Sequence, residues 1–440
     1  MDVAVEPIRL DDRRVAIALR LLVLAVVVLQ RFAVPGIGTA LCLPLALAIV
    51  AYLALQGALV HDATRFRLYL LAVGGCCTAT LLSAIYVRDE WSLKSLALLV
   101  ALYVPFLLRL RAELGHLYRP LLEFFNRLMV VAACVALLQW AAQVAGWTYR
   151  DLLDVVPSRL LLQTYNTTYP VHYGSPIMKA NAIVFLEPSF FSQFLAVALI
   201  VQLLLGGRRW RLPLYAAALL TTVSGTGLVL AGAGLAVLAV RRGPAWTARV
   251  LLLLLLTGAV VQSTSLGGII AARSTERTEQ NSSANARFVA PYTLVAAGLT
   301  KDIPTLLVGR GPGIVSRPAG AAYFNAGRIE ANYPVIPKLA AEYGVVAALL
   351  FVGFMIVAIT TGTPSATVSV MVLLLYFLLS GSLLQPHTVV TAYIFTSLFA
   401  RPGAVLSASP WPPRRPGQMP RPAVRRTSGA MPTAGGGAAR

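Results

Sequence analysis

Four ionisable side chains stand at the margins of apolar runs: Lys179, Glu187, Arg287 and Glu342. A charge at the edge of lipid is costly unless it meets water, a partner or a substrate. A positioned carboxylate can take a proton, and a fixed cation can stabilise negative charge developing on a leaving group. Lys179 and Glu187 share the segment IMKANAIVFLEPSFFSQFLA, residues 177–196. Lys179 can pair with Glu187 or with a phosphate. Glu187 precedes Pro188, which suits the first turn of a helix. Its carboxylate would also favour the positive end of the helix dipole, so capping competes with chemistry as its explanation. Glu342 opens the run AEYGVVAALLF and carries the same alternative.

Arg287 ends the polar part of NSSANARFVAPYTLVAAGL, and Ser282, Ser283 or Asn285 can cap the helix-like stretch that follows. Downstream, Gly309 to Gly313 read GRGPG. That run lacks the Lys-Ser/Thr of a P-loop and reads as a tight turn. Arginine nevertheless suits two-pronged phosphate recognition, which makes Arg310 and Arg328 further candidates. His172 lies in a loop just before Lys179, and a lone loop histidine is more often incidental than catalytic. No His, Cys or Asp cluster has metal-ligand spacing, so neither metal nor cofactor is expected.

The elements that must position these residues are membrane helices. The chain has 440 residues, 58% hydrophobic and 12% charged, with mean hydropathy +0.74. Ordinary soluble domains carry about a quarter charged residues. The expected fold is all-α and polytopic, with about twelve spans. They fall near 15–30, 38–59, 68–87, 93–108, 124–146, 183–205, 212–223, 226–240, 249–265, 341–360, 367–384 and 388–400. The first reads as a retained span, because QRFAVPG offers no small-residue cleavage site. Cys42, Cys76, Cys77 and Cys134 lie inside apolar runs and read as small buried hydrophobes.

The net charge of +20 does not point to nucleic acid, because arginines gather in short loops and in the tail. Arg13 and Arg14, Arg65 and Arg67, Arg109 to Arg119, Arg208 to Arg211 and Arg241 to Arg249 all fall on one side when the spans alternate. That side is cytoplasmic, with both termini. Two longer extracytoplasmic loops follow, 147–182 and 266–340, and loops of that length are usually functional or disordered. Residues 1–400 form the membrane domain. The tail 401–440 is rich in Pro, Gly, Ala and Arg, has no acid and is expected to be disordered at the cytoplasmic lipid surface.

These features together resemble the O-antigen ligase and O-antigen polymerase superfamily of bacterial membrane glycosyltransferases, in particular its exopolysaccharide polymerase-like members. KANAIVFLEPSFFSQF at 179–194 is similar to that group's Arg/Lys-x-Asn-Gly and Glu-Pro-Ser pattern. Ser-Gly-Thr-Gly at 224–227 is similar to its Ser-x-Thr pattern. Ser283 to Arg287 with LLVGRGPG resembles its Ser-x-Arg and Gly-x-Gly-Pro loop, and Asn332 with AEYGVVAALLF its His-Asn and Glu-x-Gly pair. Lys179 stands where many members carry arginine, Ala182 where glycine is common, and Ala331 where ligases carry histidine.

The resemblance implies a metal-independent, inverting transfer from an undecaprenyl-pyrophosphate-linked oligosaccharide at the outer face of the bacterial inner membrane. Arg287 and Lys179 would hold the pyrophosphate, with Arg310 and Arg328 as weaker candidates. Glu187, Glu342, Glu330 and His172 are the possible bases. Asn181 and Asn332 would contact substrate, and other polysaccharide-assembly proteins would be partners. Two other classes compete: a glycan-lipid flippase and a non-catalytic subunit of a polysaccharide export machine. The mid-span regions are almost uniformly apolar, with Arg20 an exception that snorkels. Transporters usually put polar or broken helices at the midplane.

Reporter fusions after Arg211, after Arg242 and at the carboxyl terminus should read cytoplasmic, and one near Gln280 should read external. An internal Gln280 reporter would remove the basic loop from any lipid donor already carried across the membrane.

Overall fold

The computed structural model describes residues 12–88, 91–163, 165–172, 174–248, 250, 285–324, 333–379 and 382–399. Apart from Val250, the expected span 249–265 lies outside them, as do Arg328, Glu330, Asn332 and the tail. The first helices are α1 (Asp12–Val28), α2 (Cys42–Leu55), α3 (Ala63–Tyr86), α4 (Leu93–Tyr103) and α5 (Tyr118–Val144). Next come α6 (Pro188–Leu205), α7 (Arg211–Thr221) and α8 (Gly225–Arg242). The second long loop holds α9 (Asn285–Phe288), α10 (Ala290–Leu299), α11 (Ile303–Val308) and α12 (Pro318–Tyr323). α13 (Val335–Thr360), α14 (Ala366–Leu374) and α15 (Pro386–Ala392) complete the described bundle.

Every expected span outside 249–265 coincides with a helix. Among the described residues, 5 helices are long and apolar enough to cross a membrane, and Cys42–Leu55, Leu93–Leu107, Ala290–Leu299 and Ala366–Leu379 are shorter apolar helices. The shortness has local causes. α4 tightens into a 3-10 turn at Val104–Leu107, where Pro105 offers no backbone donor. α14 and α15 each widen into a π-turn, at Leu375–Leu379 and Tyr393–Ser397.

α6 is the central post. Of its membrane-length window 78% is buried inside the protein, against 33–50% for the other long helices. It packs on α5, α7 and α8, and α3 packs along α13. Phe125, Phe185, Phe191 and Phe194 fill the space around it with tilted and edge-on ring contacts. Whatever stands at the start of α6 therefore rests on the most enclosed of the described membrane-length helices.

Two charged knots hold the ends. At the arginine-rich end, strands β1 (Leu59–His61) and β2 (Leu108–Leu110) pair antiparallel, with Val60 opposite Arg109. Asp62 caps α3 by accepting from the Thr64 and Arg65 amides. Its carboxylate meets Arg109 at 3.0 Å and Arg65 at 3.4 Å. The buried Arg65 guanidinium donates to the Ser397 and Thr361 carbonyls at 2.7 and 2.9 Å. These arginines are structural ties as well as topology signals. At the other end, Arg31 forks onto Asp151 at 2.8 and 2.6 Å and also donates to the Ile183 carbonyl. Burial pushes the Asp151 carboxyl up, but hydrogen bonds from Arg31 and the Leu153 amide outweigh it and hold it below the usual range.

Replacing Arg65 with Met should destabilise the protein by about 3 kcal/mol, because it strips a buried ion pair and two carbonyls of their donor. Arg67→Ala, at an exposed position, should stay within ~0.5 kcal/mol. Denaturant titration in mixed micelles measures both, and equal midpoints for the two variants would show that the Arg65 knot holds nothing.

Candidate functional site

Glu187 occupies the N-cap position of α6 in extended backbone, φ −145° and ψ 158°, with Pro188 in the first turn. Its side chain makes no capping hydrogen bond. The carboxylate therefore does not close the helix end by hydrogen bonding. Ser189 Oγ donates to Glu187 Oε2 at 2.9 Å, and Arg287 Nη2 stands 3.6 Å from the same oxygen. Arg287 Nη2 also lies 3.5 Å from Ser189 Oγ. The two charged side chains are 19% and 21% exposed, so the pair is sheltered yet reachable. Arg287 sits in the short helix α9, and Pro291 sets the start of α10 just beyond it. Arginine carries five N–H donors in a fixed fork, and the contacts described engage a single nitrogen.

A row of hydroxyls runs inward from this pair. Ser192 Oγ donates to the Ser189 carbonyl and stands 3.4 Å from Thr226 Oγ1, which lies 3.0 Å from Ser224 Oγ. The Ser-Gly-Thr-Gly run thus packs directly on the Glu-Pro-Ser helix. Gly227 makes this possible, since a Cβ there would lie 2.6 Å from the Ser192 Cβ.

The segment leading into α6 is held under backbone strain. Ala182 and Ile183 have φ of 51° and 67°, a region that costs a non-glycine residue about 1–3 kcal/mol. Asn181 organises this turn from a fully buried position. Its Oδ1 accepts from the Ile183 amide and from Gln139, and its Nδ2 donates to the Thr167 carbonyl. Upstream, Pro170 bridges Met178 and the Lys179 amide donates to the Tyr169 carbonyl. Lys179 Nζ rides over the Tyr169 ring at 5.3 Å, and His172 is exposed at the turn of this small hairpin. The described contacts join Glu187 to Arg287 and do not join it to Lys179.

Glu342 belongs to a second cluster. It is fully buried on α13, with Lys338 Nζ at 3.9 Å. Two residues on, the helix breaks at Gly344, φ 73°. The GRGPG run docks against that break: the Arg310 amide donates to the Ala341 carbonyl and the Gly311 amide to the Glu342 carbonyl, at 3.0 and 2.9 Å. A Cβ on Gly309 would come within 2.5 Å of the Gly344 nitrogen, so the two backbones touch. The glycines are there for close approach and positive φ. The Arg310 side chain leaves this junction and lies 3.5 Å above the Tyr323 ring, which Lys301 also faces at 4.4 Å. The Tyr323 hydroxyl donates to Asp302 at 2.6 Å. Slight burial raises the Asp302 carboxyl, but hydrogen bonds from Tyr323 and Thr305 prevail and lower it.

Sequence reasoning brought Glu187 and Arg287 to the same membrane face but did not join them. Ser189, sitting inside the quoted Glu-Pro-Ser run, was passed over as a participant. Lys338 was legible from its i,i+4 spacing to Glu342.

The family description for WcaD colanic acid polymerases matches residues 18–400, which takes in nearly all of the helical bundle. No curated protein matches the chain.

Gly227→Ala should drive a methyl into Ser192 and destabilise the α6–α8 contact by about 1–3 kcal/mol. Gly232→Ala, with nothing within 4 Å, should be neutral or gain up to ~1 kcal/mol of helix propensity. Thermal melts in detergent compare the two, and a silent Gly227→Ala would refute the close packing of the motif.

Proposed function

This chain belongs to the WcaD colanic acid polymerase family, and we propose that it extends a polysaccharide by transferring a glycan from undecaprenyl pyrophosphate at the outer face of the cytoplasmic membrane. Family membership supports the polymerase role and a membrane setting. The donor, the face and the mechanism are our reading. The observation that carries it is the Arg287–Glu187 contact, made by two side chains a hundred positions apart at the mouth of the central helix.

In the proposed step an acceptor hydroxyl attacks the anomeric carbon of the donor from the face opposite the pyrophosphate. A new glycosidic C–O bond forms, the bond to pyrophosphate breaks, and the configuration inverts. Glu187 takes the proton of the attacking hydroxyl. Arg287 receives the negative charge that builds on the departing pyrophosphate. At rest Arg287 leans on Glu187. An arriving pyrophosphate competes for the same guanidinium and leaves the carboxylate free to act as base. Ser189 keeps Glu187 turned toward the mouth while this happens.

Lys179 is the second cation of the clamp in this proposal. Arg310 and the loop residues Arg328, Glu330 and Asn332 approach the substrate further out, a role that rests for the last three on the resemblance of their loop to the family pattern. Asn181 works through Ala182 and Ile183 as a positioning residue. Glu342, sunk beside Lys338, serves the helix break better than it serves proton transfer, and His172 is the remaining alternative base. No metal enters the step.

Arg287→Ala should lower polymer formation by ~10²–10³ at unchanged protein level, the usual loss of one fixed transition-state donor. Arg287→Lys should also fail substantially, since a point charge does not reproduce a planar fork. Arg273→Ala, outside the motif, should be nearly silent. The assay is purified protein with an undecaprenyl-pyrophosphate oligosaccharide, without nucleotide or added metal, read as longer lipid-linked glycans. Equal losses for Arg273→Ala and Arg287→Ala would mean that loop charge in general matters and that no clamp resides at Arg287.

A further inference from the structure

Behind the Glu187–Arg287 pair lies a cluster of polar groups that the transfer step does not use. His387 is 1% exposed, and neither ring nitrogen has a hydrogen-bond partner. Its ring meets Phe190 edge-on at 4.8 Å. Phe190 follows Ser189 on α6 and also meets Tyr165, at 6.1 Å. Burial and the nearby charge of Glu187 push the Tyr165 phenol up to about 12, and the Gln385 amide sits beside that phenol. Phe190 thus links the imidazole to the pair at the mouth, and Tyr165 links Gln385 to it.

The same unpaired state recurs around this ring cluster. Gln385 is the N-cap residue of α15, yet its side chain does not cap, and its Oε1 has no partner. Gln193, one turn beyond Phe190 on α6, donates to the Leu379 carbonyl but leaves its own Oε1 unpaired. Thr388 Oγ1, next to His387 in the chain, is also buried and unpaired. Buried polar groups are almost always paired, and a set of exceptions in one region asks for a missing partner. The chemistry of that partner is constrained. Two of these atoms are amide oxygens and accept only. A neutral imidazole offers one donor and one acceptor, and a hydroxyl offers both. A phosphate only accepts, so it would leave the amide oxygens unpaired. A ligand bearing several hydroxyls can donate and accept together.

We propose that His387, Gln193 and Gln385, set around Phe190 and Tyr165, form the inner wall of the subsite for the acceptor sugar. The hydroxyls of one pyranose pair with these side chains, and the ring of Phe190 lies along its apolar face. The proposal rests on the transfer reading only for the word acceptor, because the wall adjoins Glu187, the base that takes the acceptor's proton. His387 is a binding residue here and does not exchange a proton.

The test uses the full-length protein in detergent and the free oligosaccharide repeat released from the host's own polysaccharide, which carries no pyrophosphate. Calorimetry should find that His387→Phe weakens oligosaccharide binding at least tenfold. Its melting temperature should be unchanged or higher, since the ring contact stays and two unpaired atoms are gone. His387→Gln, which restores a donor and an acceptor, should recover part of the affinity. Gln193→Leu should weaken binding in the same way, and it carries the test if His387→Phe does not accumulate. Wild-type affinity in His387→Phe or Gln193→Leu overturns the proposal, and so does a loss of binding that merely follows a fall in melting temperature. Arg287→Ala should bind the free oligosaccharide normally. If Arg287→Ala instead keeps full polymer synthesis, the transfer reading fails while the sugar wall still stands or falls on the His387 result.

Discussion

A carboxylate at the start of a helix that is itself sunk in the protein has few places to turn. Glu187 is fixed there by Pro188 and by the enclosure of α6 on three neighbouring helices. Capping would have satisfied it locally, and the backbone does not use it. The charge has to be answered from elsewhere, and Arg287 answers it from the second long loop. That contact fastens the loop to the bundle at one point. It is long enough, at 3.6 Å, to be exchanged for something better. A tighter and fully buried fork, such as Arg31 on Asp151 at 2.6 Å, is built to persist. The two ion pairs thus differ in length and enclosure, and the looser one is the pair to which the proposed step assigns work.

Close backbone approach is the other device on which the arrangement depends. Gly227 lets α8 lie on Ser192, and Gly309 lets the basic loop touch the break at Gly344. Both contacts tie motif-bearing segments to long helices with no side chain between them. The loop carrying Arg310 inherits the rigidity of α13, and the Ser-Gly-Thr-Gly turn inherits that of α6. Strain at Ala182 belongs to the same scheme. A position with φ of 51° favours glycine, which accounts for a common glycine there in the resembling family. Here alanine is held in place by the Asn181 and Gln139 hydrogen bonds on either side.

Hydropathy made the helices legible, because apolar runs of membrane length leave little choice of structure. It says less about how far each run stays regular. Runs such as 212–223 and 388–400 are apolar for reasons of core packing as well as of lipid, and a π-turn or a proline inside a run leaves no mark on its hydropathy. The site was legible in parts. Glu187, Arg287 and the hydroxyl-bearing motif stood out as residue types in unusual surroundings. Their partnership did not, since nothing local relates positions so far apart in the chain. Arg65 reads in the sequence as a topology signal, because a buried tie and an exposed cytoplasmic charge look identical there. His387 is a lone histidine with nothing in the sequence to single it out. Only its enclosure beside Phe190 sets it apart.

The arrangement also explains why an arginine, and not a lysine, meets Glu187. A compact ammonium at 3.6 Å would be drawn fully onto the carboxylate, and a donor phosphate would have to displace it. A planar guanidinium can keep one nitrogen toward Glu187 and Ser189 while its other edge meets an incoming oxygen pair. In the proposed step the handover would then proceed by partial exchange of hydrogen bonds and would not leave a bare charge in a sheltered place, where an unpaired ion is costly. Ser189 supports the same economy of charge. Its hydroxyl donates to Glu187, so the carboxylate has a donor besides the arginine. The Glu187 side chain, which makes no cap on its own helix, instead faces Ser189 and the loop that carries Arg287.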